Sequence, residues 1–297
     1  MNFYPIDYIE PVFRPPSEAQ SFILPLTNGC SWNKCTFCEM YTQEQKKFRA
    51  RKEEEVFADI ECVAKVVPQT RRVFLADGDA MILPTRRLKL VLEKLQASFP
   101  NVERITSYCL PRNLAKKTTE ELKELKALGL DMLYVGLESG DDFVLDMVNK
   151  GETFESSVSA LKKIRDSGIR SSVMVLNGLG GQRYSEQHVL NSAKAVNSAQ
   201  PDYVSTLVVS FPMGEERYRE RFIDWEPLNQ RQLFKELRTF IGHLELENTV
   251  FRSDHASNYL PLKGVLGKDK ARLLSELDTA IHQPEKVSLR QEWQRGL

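Results

Sequence analysis

Six times between residues 20 and 247 the chain passes from a short apolar or β-branched run to a longer segment with helical spacing. The runs are SFILPLT (21–27), RVFLA (72–76), ERITSY (103–108), DMLYVGLESG (131–140), RSSVMVLNGLGG (170–181) and DYVSTLVVS (202–210). The helical segments are 53–67, 84–99, 118–129, 153–168, 185–199 and 229–247. In the first of these Val56, Ile60, Val63 and Val67 recur at helical intervals. Pro84 suits the first turn of the second, and the third is capped by Thr118 and stopped by Gly129. Regular alternation of this kind implies a parallel sheet with right-handed crossovers, so the fold class is α/β.

No linker or low-complexity stretch divides the alternating region. Residues 1–19 read as an extended N-terminal segment containing Pro15-Pro16, residues 20–247 as the main domain, and 248–297 as a C-terminal extension. In the extension, 250–281 reads as an extended segment, a turn and a last helix, followed by a polar tail able to lie over the surface. Hydrophobic residues at 41% and charged residues at 28% fit a globular protein. Forty-one basic residues balance forty-one acidic ones, which argues against a globally basic nucleic-acid binder. No apolar run is long enough for a membrane span, and the first residues lack a basic start followed by an apolar core. A cytoplasmic location without membrane association is therefore expected.

In a reducing compartment clustered cysteines point to metal or redox chemistry. TNGCSWNKCTFCEMY (27–41) places Cys30, Cys35 and Cys38 within nine residues, as C-x4-C-x2-C. Cys62 and Cys109 are isolated and read as small buried hydrophobes. Structural zinc needs four ligands, commonly as two separated pairs, and would here require a distant histidine. A [4Fe–4S] cluster held by three thiolates leaves one iron open to a small molecule.

The segment resembles the cluster loop of radical S-adenosylmethionine (SAM) enzymes, in which three cysteines follow the first strand of a partial TIM barrel and an aromatic residue precedes the last. Here that aromatic is Phe37. The family spacing is C-x3-C-x2-C, so this loop is one residue longer. The resemblance implies a partial (β/α)6 TIM-like barrel of parallel strands, with Cys30, Cys35 and Cys38 as cluster ligands. It also implies further contacts. DGDA (77–80) resembles the turn holding the SAM amino group, which points to Gly78 and Asp79. GLESG (136–140) places Glu138 and Ser139 where the family holds the ribose hydroxyls. NGLGG (177–181) resembles the adenine-contacting turn, which points to Gly178, Gly180 and Gly181. Phe37, Met40 and Tyr41 are further candidates for adenine. FPMG (211–214) resembles a related turn. GLESG followed by Lys150-Gly151 is similar to the group of Elp3-like and coproporphyrinogen-dehydrogenase-like proteins. Each of these turns follows a strand, the catalytic end of a βα barrel.

What the resemblance implies chemically is reductive cleavage of SAM at the cluster, giving methionine and a 5′-deoxyadenosyl radical that abstracts hydrogen from a substrate. An electron donor such as flavodoxin or ferredoxin is then a partner. The substrate stays open between an acidic tetrapyrrole-like small molecule, a modified nucleobase or tRNA, and a peptide. Cys109, Arg112 and His255 are the candidate catalytic residues. His255, Asn258, Tyr259 and Lys263 lie in a polar segment able to close the open side of the barrel. His188, His243 and His282 read as surface residues. The alternative is a non-catalytic iron–sulfur or zinc protein that senses redox state or binds a partner.

Overall fold

The computed structural model describes residues 4–296, so the first three residues of the N-terminal segment and the last residue of the chain lie outside the described residues. Two compact units are present. One comprises the chain up to Asn33, Cys38–Val135 and Lys162–Ser171, and the other Lys34–Phe37, Gly136–Leu161 and Ser172 onward.

The first unit contains β1 (Phe22–Pro25), β2 (Thr27–Asn28), β3 (Arg49–Ala50), α1 (Glu53–Val66), β4 (Arg72–Ala76), α2 (Thr85–Ser98), β5 (Arg104–Cys109) and α3 (Thr119–Ala127). It also contains the start of β6 (Leu130–Glu138). Its main strands pair in parallel in the order β1–β4–β5–β6, with Ile23 opposite Phe74, Phe74 opposite Thr106, and Thr106 opposite Met132. One sheet face carries Ile23, Phe74 and Ala76, packed with Tyr8, Val12, Tyr108 and Tyr134. The α1 stripe of Val56, Ile60 and Val63 is buried as its spacing predicts. Removing three such side chains from water contributes on the order of 5 kcal/mol. Thr118 and Glu121 form a reciprocal capping box at the start of α3, at 3.1 and 2.8 Å.

Pro84 lies at the N-cap of α2 rather than inside its first turn. The N-terminal segment docks through a buried acid. Glu18 accepts hydrogen bonds from Ser21, Arg104 and Tyr134 at 2.5 to 2.7 Å.

The second unit holds α4 (Asp142–Met147), most of α5 (Phe154–Asp166), all but the first two residues of β7 (Arg170–Asn177), α6 (Gly181–Ala199) and β8 (Tyr203–Val208). It continues with α7 (Glu216–Arg219), α8 (Gln230–His243), β9 (Val250–Ser253), β10 (Leu262–Val265) and α9 (Lys270–His282). The order is β7–β8–β9–β10, parallel except for the returning β10. The extension therefore adds two strands where sequence suggested one extended segment. Its tail is tied down by arginines. Arg290 donates to the carbonyls of Asp254, His255 and Asn258, and the Arg295 guanidinium stacks 3.8 Å from the Tyr259 ring.

The six βα repeats and the mostly parallel pairing make the fold an α/β partial barrel of the TIM type with a C-terminal extension. Among the described residues no helix is long and apolar enough to cross a membrane.

Candidate functional site

The first unit carries Cys30 and Cys38 on a loop closed by the β2–β3 ladder, Thr27 opposite Ala50 and Asn28 opposite Arg49. The Asn28 side chain reinforces the closure by donating to the carbonyls of Gln45 and Lys47 at 2.7 and 3.1 Å. The DGDA turn after β4 is pressed against this loop. Gly78 has φ of 61°, and a Cβ there would sit 2.2 Å from the Gly29 carbonyl oxygen and 2.7 Å from Cys30 Cα. Only glycine meets both conditions.

Charged side chains fasten the contact. Asp79 is fully buried and accepts from the Ser31 amide at 2.9 Å, from the Ser31 hydroxyl, and from Asn113 at 3.0 Å. Burial raises its pKa, and those hydrogen bonds act in the opposite direction. Lys46 Nζ pairs with Asp77 at 2.6 Å, with both side chains buried, and also donates to the Ile9 carbonyl at 2.5 Å. The Cys30 thiol has a raised pKa because it is desolvated and faces Asp79.

A left-handed residue lies between the first two cysteines. Asn33 has φ of 44°, a conformation asparagine tolerates. Its side chain donates to the Tyr41 carbonyl at 2.8 Å. The Tyr41 hydroxyl in turn accepts from the Gly78 amide at 2.9 Å. Met40, one residue earlier, is half-buried. Arg112 lays its guanidinium 3.8 Å from the centre of the Trp32 ring, a cation–π contact. Cys109 is buried at the end of β5, its Sγ 3.3 Å from the Leu110 carbonyl.

In the second unit Cys35 is half-buried and Phe37 packs against a cluster that includes Val144, Val148, Leu176 and Leu179. Lys150 Nζ lies 5.8 Å from the Phe37 ring centre and 3.1 Å from Glu138 Oε1. Burial disfavours the Lys150 ammonium, but the charges of Glu138 and Cys35 outweigh it and its pKa is raised. Glu138, at the C-terminal end of β6, has φ of 62° and is buried. Its second oxygen, Oε2, accepts no hydrogen bond among the described residues. A buried carboxylate oxygen in that state is costly unless a ligand or water meets it.

Ser139 is fully buried and shares a 2.8 Å hydrogen bond with His188 Nδ1, while accepting from the Asp141 amide. His188 Nε2 lies 3.0 Å from the Leu176 carbonyl, so Nε2 is the protonated nitrogen. His188 is thus a core residue and not the surface one its polar neighbours suggested. Burial pushes its pKa down to about 4.

The glycine turn after β7 opens α6 at Gly181, four residues before its expected start. Gly178 (φ 83°) donates its amide to Glu236 Oε1 at 2.6 Å, and its carbonyl accepts from the Trp225 indole at 3.3 Å. A Cβ on Gly180 would stand 2.9 Å from the Tyr184 carbonyl. A left-handed backbone favours glycine at 178, and close packing favours it at 180. Glu236 is buried, also accepts from the Ser185 hydroxyl, and has its pKa pushed up to about 7 by burial. His255, after β9, is half-buried. Its Nδ1 accepts from the Ser257 amide at 3.1 Å, and burial followed by the nearby Arg290 charge lowers its pKa.

The structure therefore brings Cys30, Gly78 and Asp79 together in one unit, and Cys35, Phe37 and Glu138 in the other. Cys109 stands at the end of β5 in the first unit and His255 after β9 in the second. Lys150, Asn33, Ser31 and Asn113 were not singled out as site residues from sequence, although Lys150 belongs to the KG pair noted after GLESG. Among the described residues no three His, Cys, Asp or Glu side chains stand together as a ready-made metal site. The donor set nevertheless suits a thiolate-bound cluster. None of the described cysteines is in a disulfide, and all three loop cysteines are half-buried. The open Glu138 oxygen suits a hydroxyl-bearing ligand.

Comparison with known proteins agrees with this chemistry. The family model described as Radical SAM superfamily matches residues 24–196, more than half of the chain. Biotin synthase of Caulobacter sp. (strain K31) is 29% identical over 221 residues, covering 70% of this chain and 61% of the relative. Heme chaperone HemW of Bacillus subtilis (strain 168) is 21% identical over 179 residues, covering 59% of this chain and 46% of the relative. The chain thus spans less than two thirds of either protein. Among solved structures, coproporphyrinogen III oxidase (HemN) from Escherichia coli aligns with a TM-score of 0.56 and 16% identity, covering 75% of this chain and 51% of that one. The radical SAM methyltransferase TsrM from Kitasatospora setae aligns with a TM-score of 0.51 and 18% identity, covering 63% and 34%. These structural likenesses concern the fold.

Proposed function

We infer that this chain, which belongs to the radical SAM superfamily, is an enzyme that cleaves SAM reductively to start a radical reaction on a substrate. The superfamily is defined by a [4Fe–4S] cluster and SAM. When bound, these supply the electron that breaks the S–C5′ bond and the 5′-deoxyadenosyl radical that abstracts hydrogen. The residues that would hold them are Cys30, Cys35 and Cys38 for the cluster, with the open oxygen of Glu138 for the ribose hydroxyls.

The observation that carries the reading is Glu138. Its carboxylate, at the end of a barrel strand, is held by Lys150 through one oxygen while the other accepts no hydrogen bond among the described residues. Lys150 fixes the other oxygen and keeps a positive charge near Cys35, which favours the thiolate that a metal requires. Gly78 lets its turn pack directly against the cysteine loop, and that turn is assigned to the amino end of SAM. Asp79 serves to tie the loop to that turn. Phe37 and Met40 are apolar surfaces for the adenine. Ser139 acts through His188 as a positioning residue, and Gly178 and Gly180 shape the turn that Glu236 holds. Arg112, Cys109 and His255 are assigned to the substrate side, and the electron donor is a small redox protein such as flavodoxin or ferredoxin.

Anaerobically reconstituted protein given SAM and dithionite should release 5′-deoxyadenosine, and Cys35→Ala should abolish release. Full release by Cys35→Ala would refute the reading. A colourless protein that purifies with zinc would instead support a structural or sensing role.

A further inference from the structure

One row of side chains in the second unit is left unexplained by the cofactor chemistry. Strand register sets Lys263 of β10 opposite Arg252 of β9, Arg252 beside Ser205 of β8, and Ser205 beside Met174 of β7. Residues paired across strands share one face of the sheet. Alternation puts Tyr203 and Val250 on that face one step earlier, and Leu207 one step later. The interleaved residues Val173, Val204, Thr206, Phe251 and Ser253 are completely buried. Arg252 and Lys263 are exposed, and Ser205 and Met174 are half-buried. The row therefore lies on the accessible face of these strands, the one opposite their covered side.

Two cations directly opposite each other on antiparallel strands repel. Neither forms an ion pair among the described residues. Of the acids in the adjoining segments, Asp269 is engaged with the Val265 amide and Arg272, Glu276 with Arg272, and Glu292 with Arg295, whereas Asp254, two residues beyond Arg252, is exposed. The β9–β10 hairpin thus presents a paired positive charge next to an apolar strip of Met174, Tyr203, Leu207 and Val250. Three strand spacings place Lys263 on the order of 14 Å from Met174 along the row.

We propose that Arg252 and Lys263 together seat an oxyanion of the substrate, and that the substrate is an organic acid whose apolar body lies over Ser205 and Met174. A carboxylate and a phosphate share the required chemistry, since both accept two charge-assisted hydrogen bonds from an arginine. One cation pair set in apolar surface, on a chain of zero net charge, differs from the basic stripe that tracks a nucleic-acid backbone. The proposal rests on the radical SAM reading only in naming the anion a substrate; the binding itself requires neither cluster nor SAM.

The test uses the full chain, titrated by calorimetry with phenylbutyrate, phenylbutyl phosphate and the neutral phenylbutanol. At least one acid should bind about tenfold or more tightly than the alcohol, with affinity falling as salt rises. The stronger of the two acids identifies the oxyanion. R252Q and K263Q should each remove most of that preference. Each should also melt no lower than the native chain, because it relieves repulsion, and this separates a binding role from a structural one. The proposal is overturned if neither acid binds at millimolar concentration, if the alcohol binds equally well, or if the double variant R252Q/K263Q keeps the preference. Release of 5′-deoxyadenosine is measured in parallel without any substrate, so failure of the anion site and failure of the radical reading remain distinct.

Discussion

Replacing Glu236 with Gln should change how stability depends on pH. The Glu236 carboxyl is 3% exposed, and burial raises its pKa from the ordinary 4.5 to about 7. A raised carboxyl pKa means the folded chain holds the proton more tightly than the unfolded one. Its contribution to stability is therefore complete below pH 4.5 and is lost as pH rises through about 7. The shift corresponds to about 3 kcal/mol between those limits. Glutamine reproduces the protonated state. Its carbonyl can accept from the Gly178 amide, where Glu236 Oε1 now stands at 2.6 Å, and its amide can donate to Ser185. Urea unfolding of both proteins across this range should give equal midpoints in acid and a more stable E236Q above neutrality. His188, whose pKa falls from 6.5 to about 4, acts in the opposite sense. Its stabilisation is present above pH 6.5 and lost on acidification, and because it is common to both proteins it cancels in the difference. A stability difference that does not vary with pH, or one that grows towards acid, would refute the assignment.

Two further outcomes are expected from the packing around the cysteine loop and Glu138. Gly78→Ala places a methyl group against the Gly29 carbonyl, and the reconstituted variant should bind less iron per chain than the native protein while unaltered iron content would contradict the close approach. Lys150→Met leaves Glu138 buried with neither oxygen paired to the ammonium. It should cost about 3–5 kcal/mol in chemical denaturation, whereas the double variant Lys150→Met with Glu138→Leu should recover most of that loss.

Strands were legible where an apolar run ends in residues that cannot extend it. RVFLA is bounded by arginines and by the DGDA turn, and β4 occupies those five residues, Arg72–Ala76. The hairpin of β9 and β10 was missed because each strand has only four residues, too few to show a period of two, and the pairing joins segments separated by a polar loop. The start of α6 was displaced because the glycines that precede its apolar stripe read as a turn, whereas Gly181 uses φ of 60° to begin the helix under Trp225. His188 was misread for another reason. The partner that buries it, Ser139, is 49 residues away in sequence, and no local pattern reports such a pairing.

Glu236 did leave a signal. Leu233, Leu237 and Phe240 form the buried stripe of α8, and Glu236 falls within it at the i+3 position. An acid among core positions of an amphipathic helix must either be neutral or meet donors. Here it meets the first amide of the glycine turn. The same logic applies to Lys46, Asp77, Asp79, Lys150 and Glu138, which are all buried. Asp77, Asp79 and Glu138 stand at or just beyond strand ends, and Lys46 and Lys150 pair with Asp77 and Glu138 there. Apolar contacts alone would hold such loops less specifically, because a methyl group fits many neighbours and a buried carboxylate accepts only from donors placed within hydrogen-bond reach. The cysteine motif announced which chemistry this chain is built for. The buried charges, dispersed over the sequence and paired only in the fold, fix the loops around them within each unit.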